Sequence, residues 1–284
     1  MTEGATEGGD RIRAAFARAG RPLFMPYVMG GFPDLDASAS HVATLARHAD
    51  LIELGIPFSD PLADGPTIQA AGQRALRGGA TPEDVIAIAE RLGDDGPPVV
   101  LMTYVNLVLA AGARAFMERA ARAGVAGVIL PDLPIDEGDD VREQARRAGV
   151  GVVPLAAPTT ADARLAAIGR RADGFVYCVS AAAVTGGEVE VGDELTGFIE
   201  RARARIDAPL AVGFGIRTTA QIAAVGRIAD GVIVASQLIR LISDAPDPAA
   251  AEEAIERFAA EAVAALREGS HSAGQGPSAV QPVR

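Results

Sequence analysis

Leu51-Ile52-Glu53-Leu54-Gly55-Ile56-Pro57-Phe58-Ser59-Asp60-Pro61-Leu62-Ala63-Asp64-Gly65-Pro66 joins a short apolar run to a loop rich in proline and glycine, and residues 67–77 beyond it have a helical pattern. The run predicts a strand over 50–54 that Gly55 and Pro57 bring to an end, so the stretch reads as one strand–loop–helix unit. Glu53 falls where strand becomes loop. A buried acid there is either paired with an arginine or put to use, because an isolated buried charge is costly. Asp64 alone reads as turn chemistry in Asp64-Gly65-Pro66. Pro57, Pro61 and Pro66 restrict the loop and hold Asp60 and Asp64 in defined positions, which favours a site over a simple connection.

The same unit recurs along the chain. Apolar runs predict strands over 22–29, 50–54, 98–103, 127–131, 151–155, 174–179, 208–213 and 230–234. Helical patterns occupy 38–48, 67–77 with 82–92, 113–123, 136–147, 160–170, 193–206 and 218–228. Several strands share a glycine–apolar–apolar start, at Gly127, Gly151, Gly174 and Gly231. Continuously apolar strands are buried on both faces, so eight such units predict an α/β fold closed into a parallel (β/α)8 or TIM barrel, with extra N-terminal and C-terminal helices. A doubly wound open sheet is the alternative, and no dinucleotide fingerprint supports it. After the last strand, 236–242 reads as a short helix. Asp247 as N-cap and Pro248 in the first helical position then open a long helix ending near Glu268, with Ile255, Phe258, Ala262 and Leu266 as its apolar stripe. The expected organisation is one catalytic barrel over 11–268 between disordered ends, 1–10 and 269–284.

Composition narrows the chemistry. A formal net charge of -11 and a pI near 4.8 disfavour nucleic acid and anionic membranes as partners. All 26 basic residues are arginine, so no lysine can form a Schiff base, and any carbon–carbon cleavage has to be non-covalent or metal-assisted. With Cys178 as the one cysteine and His41, His48 and His271 scattered, no metal site is expected. The first residues lack the apolar core of a signal peptide, and no apolar run approaches the ~18 residues of a membrane helix, so the cytoplasm is the expected compartment.

Active-site residues of such a barrel stand just past the C-terminal ends of its strands, where Glu53 and Asp64 both fall. Gly186-Gly187, Gly213-Phe214-Gly215 and Ala235-Ser236 follow strands six, seven and eight. Glycines let backbone N–H groups approach an anion, and a helix opening at Ser236 aims its positive end at the same point, although each loop alone is also an ordinary tight turn. Phe24, Tyr104 and Tyr177 lie on strands one, three and six, where an aromatic ring is either core or the wall of a pocket for a flat substrate. Asp132, in Leu130-Pro131-Asp132-Leu133-Pro134, is either functional or a cap for backbone N–H groups.

Together these residues closely resemble the alpha subunit of tryptophan synthase over roughly 10–268. The segment from Glu53 to Gln69 matches the family's signature almost without change. Pro26-Tyr27, Gly31-Phe32-Pro33, Tyr104-Val105-Asn106, Pro131-Asp132-Leu133-Pro134, Val184-Thr185-Gly186 and Gly213-Phe214-Gly215-Ile216 support the match in order. The resemblance implies a lyase of L-tryptophan biosynthesis that splits indole-3-glycerol phosphate into indole and glyceraldehyde 3-phosphate, with no cofactor in this chain. As partner it implies a beta subunit carrying pyridoxal phosphate, in an alpha2-beta2 heterotetramer.

By matching positions, the resemblance makes Glu53 the acid–base group and Asp64 the anion facing the indole N–H, with Tyr177 beside Glu53. Phe24, Ile68 and Tyr104 would contact the indole; Gly186, Gly215, Ala235 and Ser236 the phosphate; Asp132, Thr185 and Phe214 further parts of the substrate. Asp60 and Thr185 would couple loop closure to the partner. The chain departs from the family at Ser180-Ala181-Ala182-Ala183-Val184-Thr185-Gly186, which lacks the usual arginine and one glycine, and at Ala235, where the family usually has glycine. A stand-alone indole-3-glycerol phosphate lyase, a regulator that has lost catalysis and another phosphosugar isomerase are the competing readings; the lack of lysine removes one electrophile common in the last.

Overall fold

Each apolar run is a strand in the computed structural model, which describes residues 5–93, 95–179, 191–213 and 215–273. The strands are β1 (Leu23–Met29), β2 (Ile52–Gly55), β3 (Val99–Met102), β4 (Val125–Ile129), β5 (Gly151–Val153), β6 (Leu155–Ala156), β7 (Val176–Val179), β8 (Leu210–Gly213) and β9 (Gly231–Val234). Their order in the sheet is β5-β4-β3-β2-β1-β9-β8-β7-β6, and every pairing is parallel. β5 and β6 are the halves of the single run 151–155, divided at Pro154, which has no N–H for a ladder. One half pairs with β4 and the other with β7, so the chain itself joins the two ends of the sheet into a barrel. Tyr177 N–H donates to Pro154 O at 3.0 Å across the division.

Helices cover the outside: α1 (Glu7–Ala19), α2 (Leu35–Ala46), α3 (Pro66–Arg77), α4 (Pro82–Glu90), α5 (Val105–Ala110), α6 (Ala113–Arg122), α7 (Asp139–Ala148), α8 (Asp162–Arg171), α9 (Asp193–Arg203), α10 (Thr219–Gly226), α11 (Ser236–Asp244) and α12 (Pro248–Ala273). Among the described residues none is long and apolar enough to cross a membrane. Local chemistry sets several starts. Asp34 caps α2 by accepting from Ala37 N–H at 2.8 Å, and Thr81 and Asp84 form a reciprocal capping box at α4. α5 was not foreseen, because Tyr104-Val105-Asn106 reads as the end of a strand.

Two expectations at the chain ends are corrected. Residues 7–10 are helical, not disordered: Thr6 caps α1 by accepting from Gly9 N–H at 2.9 Å, and Gly8 N–H donates to Gly149 O at 2.8 Å. The glycines are there for close packing, since an added β-carbon would lie 2.0 Å from Ala126 O at Gly8 and 1.8 Å from an Asp173 oxygen at Gly9. α12 runs on to Ala273, past the expected end near Glu268.

α1 lies across the N-terminal ends of the strands. Ile12, fully buried, sits 3.0 Å from where a β-carbon would stand on Gly127 and on Gly174, and the Phe16 and Phe175 rings are 5.9 Å apart. The floor of the barrel is therefore packed solid, and the opposite, C-terminal end is the open one.

Candidate active site

Strand alternation decides which side chains reach the interior. Tyr27, Glu53 and Val100 are in register on β1, β2 and β3, and Leu155, Tyr177 and Ala211 on β6, β7 and β8. Registered residues share a face. Gly55 and Gly213, each two residues from a member of these rows, lie under the phenol oxygens: an added β-carbon would be 2.0 Å from Tyr27 Oη and 2.2 Å from Tyr177 Oη. Two tyrosine rings therefore lean across neighbouring strands inside the barrel, and Glu53 lies in the row of the first.

Glu53 is 2% exposed, and its Oε2 has no hydrogen-bond partner among the described residues. The arginine-paired alternative thus fails. Burial first, then the nearby charge of Asp64, pushes the Glu53 pKa up to about 8. Asp64 stands on the β2–α3 loop, half-buried. Burial pushes its pKa up to about 6, and the nearby Tyr104 hydroxyl pulls it back down. At neutral pH the two carboxyls are thus held in opposite states, Glu53 protonated and Asp64 ionised.

The loop that carries Asp64 is built, not loose. Tyr104 stacks on Phe58 with ring centroids 5.0 Å apart, and its hydroxyl accepts from Ala63 N–H at 3.1 Å. Asp64 N–H donates to Pro61 O at 3.2 Å, and Gln69 Nε2 donates to Asp64 O at 2.9 Å. Asp132 takes the capping alternative: its carboxylate oxygens accept from Val105 N–H at 2.9 and 3.2 Å, so it fixes the start of α5 directly behind Tyr104. Ile68 is buried in the first turn of α3. Asp60 and Leu62 are exposed at the crest of the loop.

On the opposite rim, α11 opens directly after β9, with Ala235 at its N-cap and Ser236 first in the helix. No side chain caps it, so its leading N–H groups face the barrel mouth unoccupied by the helix itself. Ala235 has φ -117° and needs no glycine for its backbone conformation. Gly215, just past β8, has φ +75°. Thr185, Gly186 and Phe214 lie outside the described residues.

Phe24 is corrected. It is fully buried near the start of β1, in register with Val232, and lies three residues before Tyr27. An odd separation places it on the outer face toward the helices, so Tyr27 is the β1 aromatic that reaches the carboxyls. The alternation of 22–29 held that signal: Tyr27 stands in the half of the run nearer the mouth, as Glu53 does in its own.

A closed parallel barrel whose mouth holds two carboxyls in opposite ionisation states, facing a helix N-terminus, is an acid–base barrel enzyme. Residues 14–269 match the profile of the family described as Tryptophan synthase alpha chain. A tryptophan synthase alpha chain from Carboxydothermus hydrogenoformans is 44% identical over 239 residues, covering 82% of this chain and 90% of its own, and one from Caulobacter vibrioides is 46% identical over 240 residues, covering 83% and 87%. The solved tryptophan synthase of Mycobacterium tuberculosis superposes with a TM-score of 0.84 at 34% identity, covering 93% of this chain and 99% of that one. This chain belongs to the tryptophan synthase alpha chain family. It is an enzyme of tryptophan biosynthesis, and its reaction is the cleavage of indole-3-glycerol phosphate.

Proposed function

We propose that Glu53 and Asp64 divide the cleavage between them. Glu53, neutral before reaction, gives its proton to indole C3; the ring becomes an indoleninium whose positive charge Asp64 faces at the N–H. The Glu53 carboxylate then takes the proton of the glycerol hydroxyl next to the ring, the carbon–carbon bond breaks, and its electron pair returns to the ring. Indole and the aldehyde result, with Glu53 protonated again. The observation that carries this reading is the unequal setting of the two acids, one buried with an oxygen that has no hydrogen-bond partner among the described residues, the other half-buried with its pKa pulled down by Tyr104. Tyr27, Tyr104, Tyr177 and Ile68 wall the indole. Gly215, Ala235 and Ser236 hold the phosphate at the start of α11, and the family resemblance adds Gly186 to them. No cofactor is needed in this chain.

Glu53→Gln is expected to lower kcat by roughly 100- to 10,000-fold, the range for losing an acid–base group. Near-normal turnover in that variant would refute the assignment.

A beta subunit carrying pyridoxal phosphate is the partner of this reading, in a cytoplasmic alpha2-beta2 heterotetramer. Support comes from the rim: Leu62 is 91% exposed and Leu109, on α5, 56% exposed, two large apolar side chains on elements that Tyr104 ties together beside Asp60. Leu62→Glu is expected to leave basal cleavage intact while abolishing co-purification with a beta subunit; retained co-purification counts against this surface.

A further inference from the structure

Glu53 has two in-register neighbours, Tyr27 on β1 and Val100 on β3. Val100 offers no hydrogen bond. Tyr27 is therefore the adjacent side chain able to donate to the carboxyl, across the roughly 4.8 Å that separates neighbouring strands. Gly55 shows where its ring goes: the 2.0 Å from a would-be β-carbon to Tyr27 Oη means that the phenol reaches over β2, the strand that carries Glu53, two residues nearer the mouth. The hydroxyl donates to the Met29 sulfur at 3.8 Å, a weak acceptor. Glu53 Oε2, in the same wall, has no donor among the described residues. Tyr27 and Glu53 are 3% and 2% exposed, so water completes neither group. A buried donor resting on a poor acceptor, beside a buried acceptor without a donor, is an unfinished pair.

We propose that the Tyr27 hydroxyl is the positioning group of Glu53: it rests on the Met29 sulfur while the carboxyl is neutral, and turns to donate to it once the carboxyl ionises. This rests on the reading of Glu53 as the acid–base group. After Glu53 hands its proton to the ring carbon, a carboxylate is left in a slot closed to water. A charge-assisted hydrogen bond from a neutral phenol stabilises it until the glycerol hydroxyl returns a proton. Tyr27 keeps its own proton throughout, because burial, and then the charges of Asp64 and Glu53, hold the phenol pKa well above its ordinary value. The other groups facing Glu53 are placed differently. Asp64, a carboxylate, can only accept, and the Tyr177 hydroxyl lies against Gly213 on β8, a strand that does not adjoin β2.

Tyr27→Phe keeps the ring and removes the donor. The test follows the Glu53 carboxyl in the full chain without substrate, by 13C NMR of labelled glutamate, its signal assigned by difference against Glu53→Gln. The midpoint is expected to rise by about one pH unit in Tyr27→Phe, the equivalent of one hydrogen bond to a charged group. Met29→Leu, which removes the competing acceptor, is expected to move it down, and that direction decides the matter if Tyr27→Phe fails to fold. With indole-3-glycerol phosphate, kcat of Tyr27→Phe is expected to fall about tenfold with KM little changed. An unmoved midpoint in Tyr27→Phe, an upward move in Met29→Leu, or a shift produced by Tyr177→Phe in its place overturns the proposal. The titration involves no substrate. A shifted midpoint in a chain that cleaves nothing would therefore support the pair while removing the reaction assigned to it.

Discussion

A β-carbon added to Gly213 would lie 2.2 Å from the phenol oxygen of Tyr177 and 2.6 Å from the ring carbon that bears it. β8 is bare where β7 sends its ring across, and the ring is buried. Gly213→Ala is expected to push the Tyr177 ring toward Glu53, lowering kcat/KM at least tenfold while costing about 1–3 kcal/mol of stability through overpacking. Shrinking the ring in the same chain, with Tyr177→Leu, is expected to return the lost stability. Urea unfolding of the single and double variants checks this, and an unaltered midpoint in Gly213→Ala contradicts the contact.

The two carboxyls set a pH window for activity. Asp64 has to be ionised and Glu53 protonated, with pKa values near 6 and 8, so kcat/KM is expected to be bell-shaped with limbs at about those values. Because the acids interact, the limbs belong to the pair. A profile flat from pH 5 to 9 would argue against both roles.

The same burial has a stability cost of known sign. The folded pKa of Glu53, about 8, lies above its ordinary 4.5, so the stability it allows is fully present below pH 4.5 and declines as pH rises toward 8. Glutamine does not titrate. Glu53→Gln is therefore expected to match the parent at pH 4 and to exceed it by a few kcal/mol, to order of magnitude, at pH 8. Urea unfolding at both pH values measures the gap, and no gap would mean that Glu53 is better solvated than its 2% exposure implies.

Tyr104 links that chemistry to the loop. Its hydroxyl accepts from Ala63 N–H and holds the Asp64 pKa down, so Tyr104→Phe removes both effects. The acid limb of the profile is expected to move up, since Asp64 loses the hydroxyl that lowers its pKa. Amide exchange at Ala63 is expected to quicken. Unchanged protection of that amide would show that the Phe58 stack alone holds the loop.

Far from the mouth, His41 on α2 is 1% exposed, and neither ring nitrogen has a hydrogen-bond partner among the described residues. Burial lowers its pKa, with the carboxylates of Glu252 and Asp34 pulling it partly back up. Protonation is thus easier in the unfolded chain, and stability is lost as pH falls through about 6.5. His41→Leu is expected to match the parent in pH dependence above pH 7 and to lose less stability than it below pH 6. Parallel melting curves across that range would sink the claim.

How much of this was legible in the sequence depended on whether the signal was local. The strands were, since continuous apolar runs between glycines and prolines fix them; so was α3, opened by Pro66 after a loop that three prolines stiffen. The first turn of the N-terminal helix was not, because Gly8 and Gly9 in an acidic segment mimic disorder, and only the backbone of Ala126 and the side chain of Asp173 explain them. The division at Pro154 belongs to pairing with β4 on one side and β7 on the other, which no single strand reveals. The carboxyls Glu53 and Asp64 were legible from their loop, whereas choosing Tyr27 over Phe24 required counting the alternation of one strand. The two fates of Asp132 differ only in whether Val105 N–H lies within reach, a tertiary fact.

Ile12 and Phe16 stopper the barrel like a cork in a flask, which settles the traffic through it. A well with a sealed base opens at one end, so substrate and products alike must cross the C-terminal rim, where Leu62 and Leu109 stand exposed.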